Sequence, residues 1–187
     1  MDLLVKKTSV SIPQGVKKIY KQAFLNCNVR SIYLPASIDS IGYQAFLNEK
    51  RVTLLVSKKN SHYARKEDCL YSKKSGRLVA AINRNGKLVI SDKVKKLSKG
   101  TSVLGGKFRE ITIPKSVKVM QKYWDYDFYI DYKDNKHGHL TFLGMTAPKM
   151  DGFLASTIYV PAKAYDAYYK EVHKGPLKSH TRIVKVK

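Results

Sequence analysis

A repeat of 22 residues constrains the fold of this chain more than any other feature of its sequence. The first copy reads Ile-Pro-Gln-Gly-Val-Lys-Lys-Ile over residues 12–19 and continues to an Ala-Phe pair at 23–24. The second reads Leu-Pro-Ala-Ser-Ile-Asp-Ser-Ile over residues 34–41 and continues to Ala-Phe at 45–46. A constant period of this length is typical of a solenoid, in which each repeat forms one coil.

Each copy carries three apolar anchors. The first is an alternating run such as Ile32 and Leu34 before Pro35, which predicts a half-buried strand ended by proline because proline has no N–H to donate. The second is a pair three residues apart on the return path, such as Ile38 and Ile41. The third is the Ala-Phe pair, which predicts a short helical turn that points Phe inward. One coil cannot bury its own apolar face, so the coils must stack, with strands about 4.8 Å apart.

The full pattern, Ile-Pro-x-x-Val-x-x-Ile-x-x-x-Ala-Phe-x-x-Cys/Asn, resembles the BspA-like leucine-rich-repeat family of bacterial surface proteins. That family tends to have Ile-Gly in the return segment and Asn-Cys after Ala-Phe, and residues 41–42 and 26–27 match these features. The resemblance implies a bacterial surface or secreted protein that contacts host or microbial surface proteins, often described as adhesion. The motif itself identifies a scaffold and no reaction.

We predict one domain over residues 1–187: an α/β solenoid that forms a short right-handed leucine-rich-repeat superhelix of about six coils, strand-rich, with short helical turns. Its parts are coils at about 8–56, a variant hairpin coil at 57–86, coils at 87–122, an aromatic loop at 123–139, and C-terminal coils and a cap at 140–187. The cap contains a strand at 157–161 and a helix at 162–172, and the family resemblance implies the same ending.

The variant coil is similar to a longer coil of the family, in which an Asp-Gly-Val-Leu-Tyr hairpin precedes a strand. Cys69 stands near where that glycine would be, and residues 73–76 and 83–86 have the composition of tight turns. In the next coil Gly100, Gly105 and Gly106 occupy the place of the helical turn. We therefore expect that coil to turn without a helix.

No membrane span and no signal peptide is predicted. The mean hydropathy is −0.35 and no long apolar run occurs. Residues 3–5, Leu-Leu-Val, are too few for the apolar region of a leader. Two interpretations follow: a cytosolic protein, or a chain that starts after a cleaved leader. The family resemblance implies export and favours the second, with a cell-surface or secreted location.

No catalytic, cofactor-binding or metal site is predicted, because the usual nucleophile, phosphate-loop and metal-ligand spacings are missing. Cys27 and Cys69 are predicted to be two free, buried thiols, with a disulfide as the alternative. His137 and His139 lie near several aspartates, but the spacing departs from a calcium loop, so we interpret this segment as an exposed polar loop. An enzyme that uses residues 124–139 with a metal is the remaining alternative.

The strand face is the first candidate ligand-binding surface. Alternation along the strands places Tyr33 between Ile32 and Leu34, and Tyr159 between Ile158 and Val160, so both tyrosines are expected to point outward. Exposed tyrosine on a flat sheet suits contact with a protein or a sugar. The alternative is that each ring packs against neighbouring coils. The residues predicted to bind a protein partner are Tyr33, Thr53, Leu55, Thr112 and Tyr159.

The second candidate surface is basic. The chain has 36 Lys and Arg against 14 Asp and Glu, a formal net charge of +22, which predicts attraction to polyanions such as a glycosaminoglycan, an anionic cell-wall polymer or nucleic acid. The alternative is that the lysines serve solubility and protect strand edges. The residues predicted to bind a polyanion are Lys17, Lys18, Lys93, Lys95 and Lys96, all on return segments.

Overall fold

The computed structural model describes residues 8–48, 50–121, 139–150, 157–174 and 181–187. These residues form a strand-rich solenoid of about six turns with one short α-helix. The predicted aromatic loop lies outside the described residues except for its last position, His139. Residues 1–7, in which the sequence predicts no leader, also lie outside the described residues.

Parallel strands form the face on which the predicted ligand-binding residues lie. A three-stranded sheet comes first, in the order β1, β3, β5. A five-stranded sheet follows, in the order β9, β12, β14, β16, β17. The strands are β1 (Thr8–Ser11), β3 (Val29–Leu34), β5 (Thr53–Val56), β9 (Lys87–Val89), β12 (Glu110–Ile113), β14 (His139–Phe142), β16 (Thr157–Pro161) and β17 (Arg182–Val186).

Short parallel strands form the return side. The first sheet pairs β2 (Lys18–Ile19) with β4 (Ser40–Ile41), and the second pairs β10 (Lys96–Leu97) with β13 (Val119–Met120) and β13 with β15 (Lys149–Met150). The last residue of each strand is buried, as the second apolar anchor of the repeat predicts. These residues are Ile19, Ile41, Leu97, Met120 and Met150.

The Ala-Phe segments are stacked turns, which corrects the prediction of short helical turns. Phe24 donates its N–H to the carbonyl of Ala45 at 2.8 Å, and Asn26 donates to Leu47 at 2.9 Å. These backbone groups bond to the next coil, so they are not available for the bonds within a helix. The phenylalanine rings stack across the coils, with the centroids of Phe24 and Phe46 5.8 Å apart.

The variant coil contains the predicted hairpin. The antiparallel strands β6 (Tyr63–Lys66) and β7 (Cys69–Ser72) are followed by β8 (Leu78–Ile82), which is antiparallel to β7. The residue with left-handed φ in the β6–β7 turn is Glu67, at 54°, so Cys69 lies in a strand. The hydroxyl of Tyr63 accepts the N–H of Ile41 at 3.0 Å and takes the place of the next strand beside β4.

The strand β11 (Ser102–Leu104) forms where the three glycines predict a turn without a helix. It pairs with β8 on one edge. On its other edge Asn48 donates its N–H to Val103 at 3.0 Å, and Phe46 donates to the hydroxyl of Ser102 at 3.0 Å. The turn at 44–48 therefore stacks directly on a segment more than fifty residues later in the chain.

The core consists of two clusters of buried side chains that meet at β8. Leu78 and Ala81 belong to the C-terminal cluster, whereas Val79, Ala80 and Ile82 belong to the N-terminal one. All five residues of β8 are buried. The variant coil thus joins the two halves of the core through a strand with no exposed side.

Candidate functional site

The N-terminal sheet brings three of the five predicted ligand-binding residues together. Tyr33 lies opposite Leu55 in the register of β3 and β5, and Thr53 lies opposite Ser31. Tyr33 and Leu55 are 38% and 45% exposed, which is high for large apolar side chains in a regular sheet. Two lines of side chains therefore run next to each other across the strands. One consists of Ser11 and the two large exposed residues Tyr33 and Leu55, and the other of the hydroxyl residues Ser9, Ser31 and Thr53.

The C-terminal sheet holds the other two predicted residues, but not next to each other. Thr112 pairs with Thr141, and Thr141 pairs with Tyr159, so one threonine separates them. The ring of Tyr159 packs edge-on against His139, with 4.9 Å between centroids, and Tyr159 is only half-exposed. Tyr159 therefore packs against a neighbouring coil, in line with the alternative interpretation of the aromatic residues.

The hairpin of the variant coil lies between the two sheets. Arg65 of β6 donates from Nη1 to the carbonyl of Leu54 in β5 at 3.0 Å. On the other side, Ser91, which follows β9, donates its N–H to Sγ of Cys69 in β7 at 3.5 Å. The predicted strand-face site is therefore divided into an N-terminal row (Tyr33, Thr53 and Leu55) and a C-terminal row (Thr112 and Tyr159). Sequence reasoning missed Val89, which is 59% exposed in β9 and pairs with Thr112.

The five predicted polyanion-binding lysines lie in two places on the return side. Lys17 and Lys18 belong to the first coil, where the ammonium group of Lys18 lies 4.8 Å from the ring centre of Tyr20. Lys93, Lys95 and Lys96 belong to the coil that contains β10. All are exposed except Lys96, which is half-buried. The structure therefore does not unite the five lysines into one patch.

The ion pairs of the described residues involve other cations. Lys66 lies 2.8 Å from Asp92, and Lys87 lies 2.8 Å from Glu110. These hydrogen bonds lower the pKa of both carboxyl groups, so Asp92 and Glu110 are ionised at neutral pH. None of the five predicted polyanion-binding lysines is paired with a described carboxylate.

The described residues show no arrangement for catalysis or metal binding. No group of three or more His, Cys, Asp or Glu side chains is close enough within these ranges to hold a metal ion. One shallow cavity of about 370 Å³ is lined by residues that carry no acid–base pair. They are Arg51, Asn83, Arg84, Asn85, Gly86 and Gly105. No helix among the described residues has the length and apolar character needed to span a membrane.

Both cysteines are free, as predicted, but they differ in exposure. Cys69 is fully buried, and burial raises the pKa of its thiol to about 12. Cys27 is half-exposed, so the prediction that it is buried is wrong. The nucleophile in alkylation is the thiolate, and Cys69 holds almost none at pH 8.

We expect iodoacetamide at pH 8 to modify Cys27 of the native chain at least about tenfold faster than Cys69, because reactivity follows thiolate content and exposure. Mass spectrometry of peptides after timed quenching measures both rates. In urea the two rates should become similar. Equal rates in the native chain would contradict the burial of Cys69.

Comparison with known proteins gives one family match and several structural ones. A family model described as the BspA type leucine rich repeat region matches residues 4–78, in six copies. A leucine-rich cell surface protein from Faecalibacterium prausnitzii A2-165 is 12% identical, with a TM-score of 0.50 over 95% of this chain and 59% of its own. At this identity the likeness shows the fold alone. No curated protein matches the chain.

Two further solved structures are similar at lower TM-scores. A leucine-rich repeat protein from Eubacterium ventriosum ATCC 27560 is 19% identical, with a TM-score of 0.46 over 96% of this chain and 55% of its own. The pneumococcal vaccine antigen PcpA is 15% identical, with a TM-score of 0.42 over 92% of this chain and 60% of its own. The chain thus spans less than two thirds of each of these three proteins.

Proposed function

Because residues 4–78 belong to the BspA-type leucine-rich-repeat family, we propose that this chain is a non-enzymatic binding module of a bacterial cell-surface or secreted protein. It contacts a protein partner, of the host or of another microbe, through its strand face. The site is the N-terminal row with Tyr33, Thr53 and Leu55, and the C-terminal row with Thr112 and Tyr159 extends it.

The exposure of Tyr33 and Leu55 as register neighbours is the observation that carries this proposal. Both side chains stand on strands whose backbone is held by hydrogen bonds to adjacent coils, and Ile32, Leu34 and Leu54 anchor the same strands in the core. Such a surface contacts a partner without losing backbone freedom. Tyrosine is among the residues that most often contribute a large share of the binding energy of a protein interface.

Fibronectin is a suitable probe for an extracellular-matrix partner. We expect the Tyr33→Ala/Leu55→Ser variant to bind immobilised fibronectin about 30-fold more weakly than the parent chain, because losses of this size follow removal of central interface residues. Binding is measured at about 300 mM salt, where contributions of surface charge are screened.

The matched control is Tyr20→Ala, which removes a tyrosine that is 67% exposed on the return side. This control should bind fibronectin within about twofold of the parent chain, as expected for a residue outside the interface. Equal binding by the double variant and the parent would exclude the N-terminal row as the site. A parent chain that fails to bind at high salt would exclude fibronectin as the partner.

A second candidate function is capture of a polyanion by the basic return side. The net charge of +22 and the lack of described ion pairs at Lys93, Lys95 and Lys96 favour it. Binding of this kind weakens steeply as salt rises from about 50 to 300 mM, because salt screens exposed charges. It should be insensitive to Tyr33→Ala.

We also infer that the array is one right-handed domain closed by a C-terminal cap. Connections between parallel strands of one sheet are right-handed in nearly all proteins, which supports the handedness. The helix α1 (Tyr165–Val172) follows a 3-10 turn at Ala162–Ala164 and buries Tyr168, whose hydroxyl donates to the carbonyl of Gly144 at 3.0 Å. The ring of Tyr168 also contacts the ring of Phe142, with 5.0 Å between centroids, and this contact supports the presence of a cap.

A further inference from the structure

Stacking of the return strands assembles a group of cations that are far apart in the sequence. Lys118 donates its N–H to the carbonyl of Lys95 at 2.8 Å, and Lys149 donates to the carbonyl of Lys118 at 2.8 Å. In the neighbouring row, Arg77 pairs with Lys96 in a parallel bridge. We call these five residues, Arg77, Lys95, Lys96, Lys118 and Lys149, the return-face cluster.

The cluster continues across four successive backbone segments. Lys96 lies opposite Val119 of β13, and Val119 lies opposite Lys149 of β15. With about 4.8 Å between neighbouring strands, the first and the last cation are about 14 Å apart along the solenoid axis. The five residues therefore follow the stacking direction of the coils in two adjacent rows, with Lys95 and Lys118 in one and Arg77, Lys96 and Lys149 in the other.

The described carboxylates leave this cluster uncompensated. Lys95, Lys118 and Lys149 are exposed, and none of the five cations forms an ion pair with a described acid. Glu171 lies at the end of the row, where one oxygen accepts the N–H of Met150 at 2.9 Å and the other lies 3.8 Å from Lys174. Both oxygens of Glu171 are thus occupied by other groups.

The side chains of the cluster are unsuited to nucleic acids that are recognised through their bases. Its rows contain only the five cations and Val119, so no aromatic ring within them offers a platform on which a base could stack. Four of the five cations are lysines, which act as point charges without the fixed fork of arginine. A chain of evenly spaced anionic groups meets these requirements and needs no base.

We propose that the return-face cluster binds a linear polymer that has no bases, carries sulfate or phosphate groups along its chain and lies parallel to the solenoid axis. This inference rests on the second candidate function and assigns it to one set of residues. It adds Arg77, Lys118 and Lys149 to the lysines expected from the sequence. It also excludes Lys17 and Lys18 from the site, because they lie in the first coil.

The test compares two triple variants with the same loss of charge. Lys95→Gln/Lys118→Gln/Lys149→Gln removes the exposed lysines of the cluster, and Lys17→Gln/Lys18→Gln/Lys21→Gln removes three exposed lysines of the first coil. The binding constant of each variant is measured with heparin, inorganic polyphosphate and single-stranded DNA over a range of salt concentrations. Urea unfolding confirms that both variants fold. Heparin and polyphosphate distinguish a sulfated from a phosphorylated polymer.

The cluster variant should bind heparin or polyphosphate at least about tenfold more weakly than the parent chain at about 150 mM salt. The slope of log K against log salt concentration should be shallower by about two to three than that of the parent chain, because each lost contact removes about one from the slope. The first-coil variant should stay within about threefold of the parent, since it loses only long-range attraction. A compact polyanion, sucrose octasulfate, should bind more weakly than a heparin chain that spans the cluster.

Equal losses in the two variants would overturn the cluster as the site while leaving polyanion capture in place. A parent chain that binds none of the polymers would overturn both. Tighter binding of single-stranded DNA than of heparin and polyphosphate would overturn the assigned ligand class.

Discussion

Replacing Asn60 with alanine is expected to destabilise the chain by about 4 kcal/mol, the largest loss we predict for a polar residue. Asn60 is 0% exposed, and its side chain makes four hydrogen bonds. Nδ2 donates to the carbonyls of Pro35 and Ile38, both at 2.9 Å. Oδ1 accepts the N–H groups of His62 at 2.9 Å and of Tyr63 at 2.7 Å. One side chain thus ties the start of the variant coil to the preceding coil.

Alanine at this position would leave two carbonyls and two N–H groups without their partner in a buried place, and each such group costs about 1–3 kcal/mol unless water reaches it. Urea unfolding at 25 °C measures the change in free energy. Asn28→Ala is the control, because Asn28 is exposed. That change should stay within about 0.5 kcal/mol, as is usual at the surface. A loss below about 1 kcal/mol for Asn60→Ala would show that water replaces the amide.

The second large effect is expected at Gly42, where alanine should cost about 3 kcal/mol through a clash between coils. A Cβ on Gly42 would lie 2.5 Å from the backbone nitrogen of Lys21 and 2.8 Å from the carbonyl carbon of Tyr20. The obstacle is the backbone of the adjacent coil, and Gly42 itself donates its N–H to the carbonyl of Ile19 at 2.9 Å. Two coils must therefore separate to admit one methyl group.

Gly15→Ala is the comparison variant, because it loses the backbone freedom of a glycine without creating a clash. Gly15 has a φ of 103°, and a methyl group added to its Cα would meet nothing within 4 Å. Alanine there should therefore cost only the strain of a left-handed residue, about 1–2 kcal/mol. Thermal and urea unfolding of both variants give the comparison. If Gly42→Ala is no more destabilising than Gly15→Ala, the coils are less closely packed than the structure indicates.

The repeat was sufficient to predict the strands and their buried residues. Ile32, Leu34, Ile38 and Ile41 are all buried, at the alternating and three-residue spacings that the pattern indicates. The prediction of helical turns is wrong because the Ala-Phe pattern is compatible with a local helix, whereas alternate N–H groups, those of Gln22, Phe24 and Asn26, bond to the next coil instead. A sequence pattern reports local preference, and in a solenoid the neighbouring coil supplies the deciding hydrogen bonds.

The hydrogen bonds that the buried asparagines make between coils could not be predicted from the sequence either. The sequence predicts Asn83 only as one residue of a turn, yet its Oδ1 accepts the N–H of Gly86 at 2.6 Å and its Nδ2 donates to the carbonyl of Lys107 at 2.6 Å. This arrangement matches that of Asn60. A turn signal predicts that the chain reverses, but it does not tell which side chain then becomes buried between coils.

The sequence predicts the exposure of some residues of the proposed binding surfaces, but not how the fold groups these residues. Alternation correctly placed Tyr33 on the outer face, but it could not place the hairpin that separates this residue from Thr112 and Tyr159. Lys118 and Lys149, which we propose as members of the return-face cluster, were not among the predicted lysines because they belong to no run of lysines. Aligning the copies could have found Lys118, since it follows Lys95 by 23 residues at the same position of the repeat.

The direct stacking of the turn at 44–48 on β11 also has a consequence for synthesis on the ribosome. Phe46 and Ser102, which are hydrogen-bonded, are 56 residues apart, so the turn at 44–48 leaves the ribosome long before its permanent neighbour exists. At about 5–20 residues per second, that turn waits about 3–11 s for its partner. During that interval the nascent chain exposes an unpaired edge, and the hairpin of the variant coil is the segment that emerges beside it.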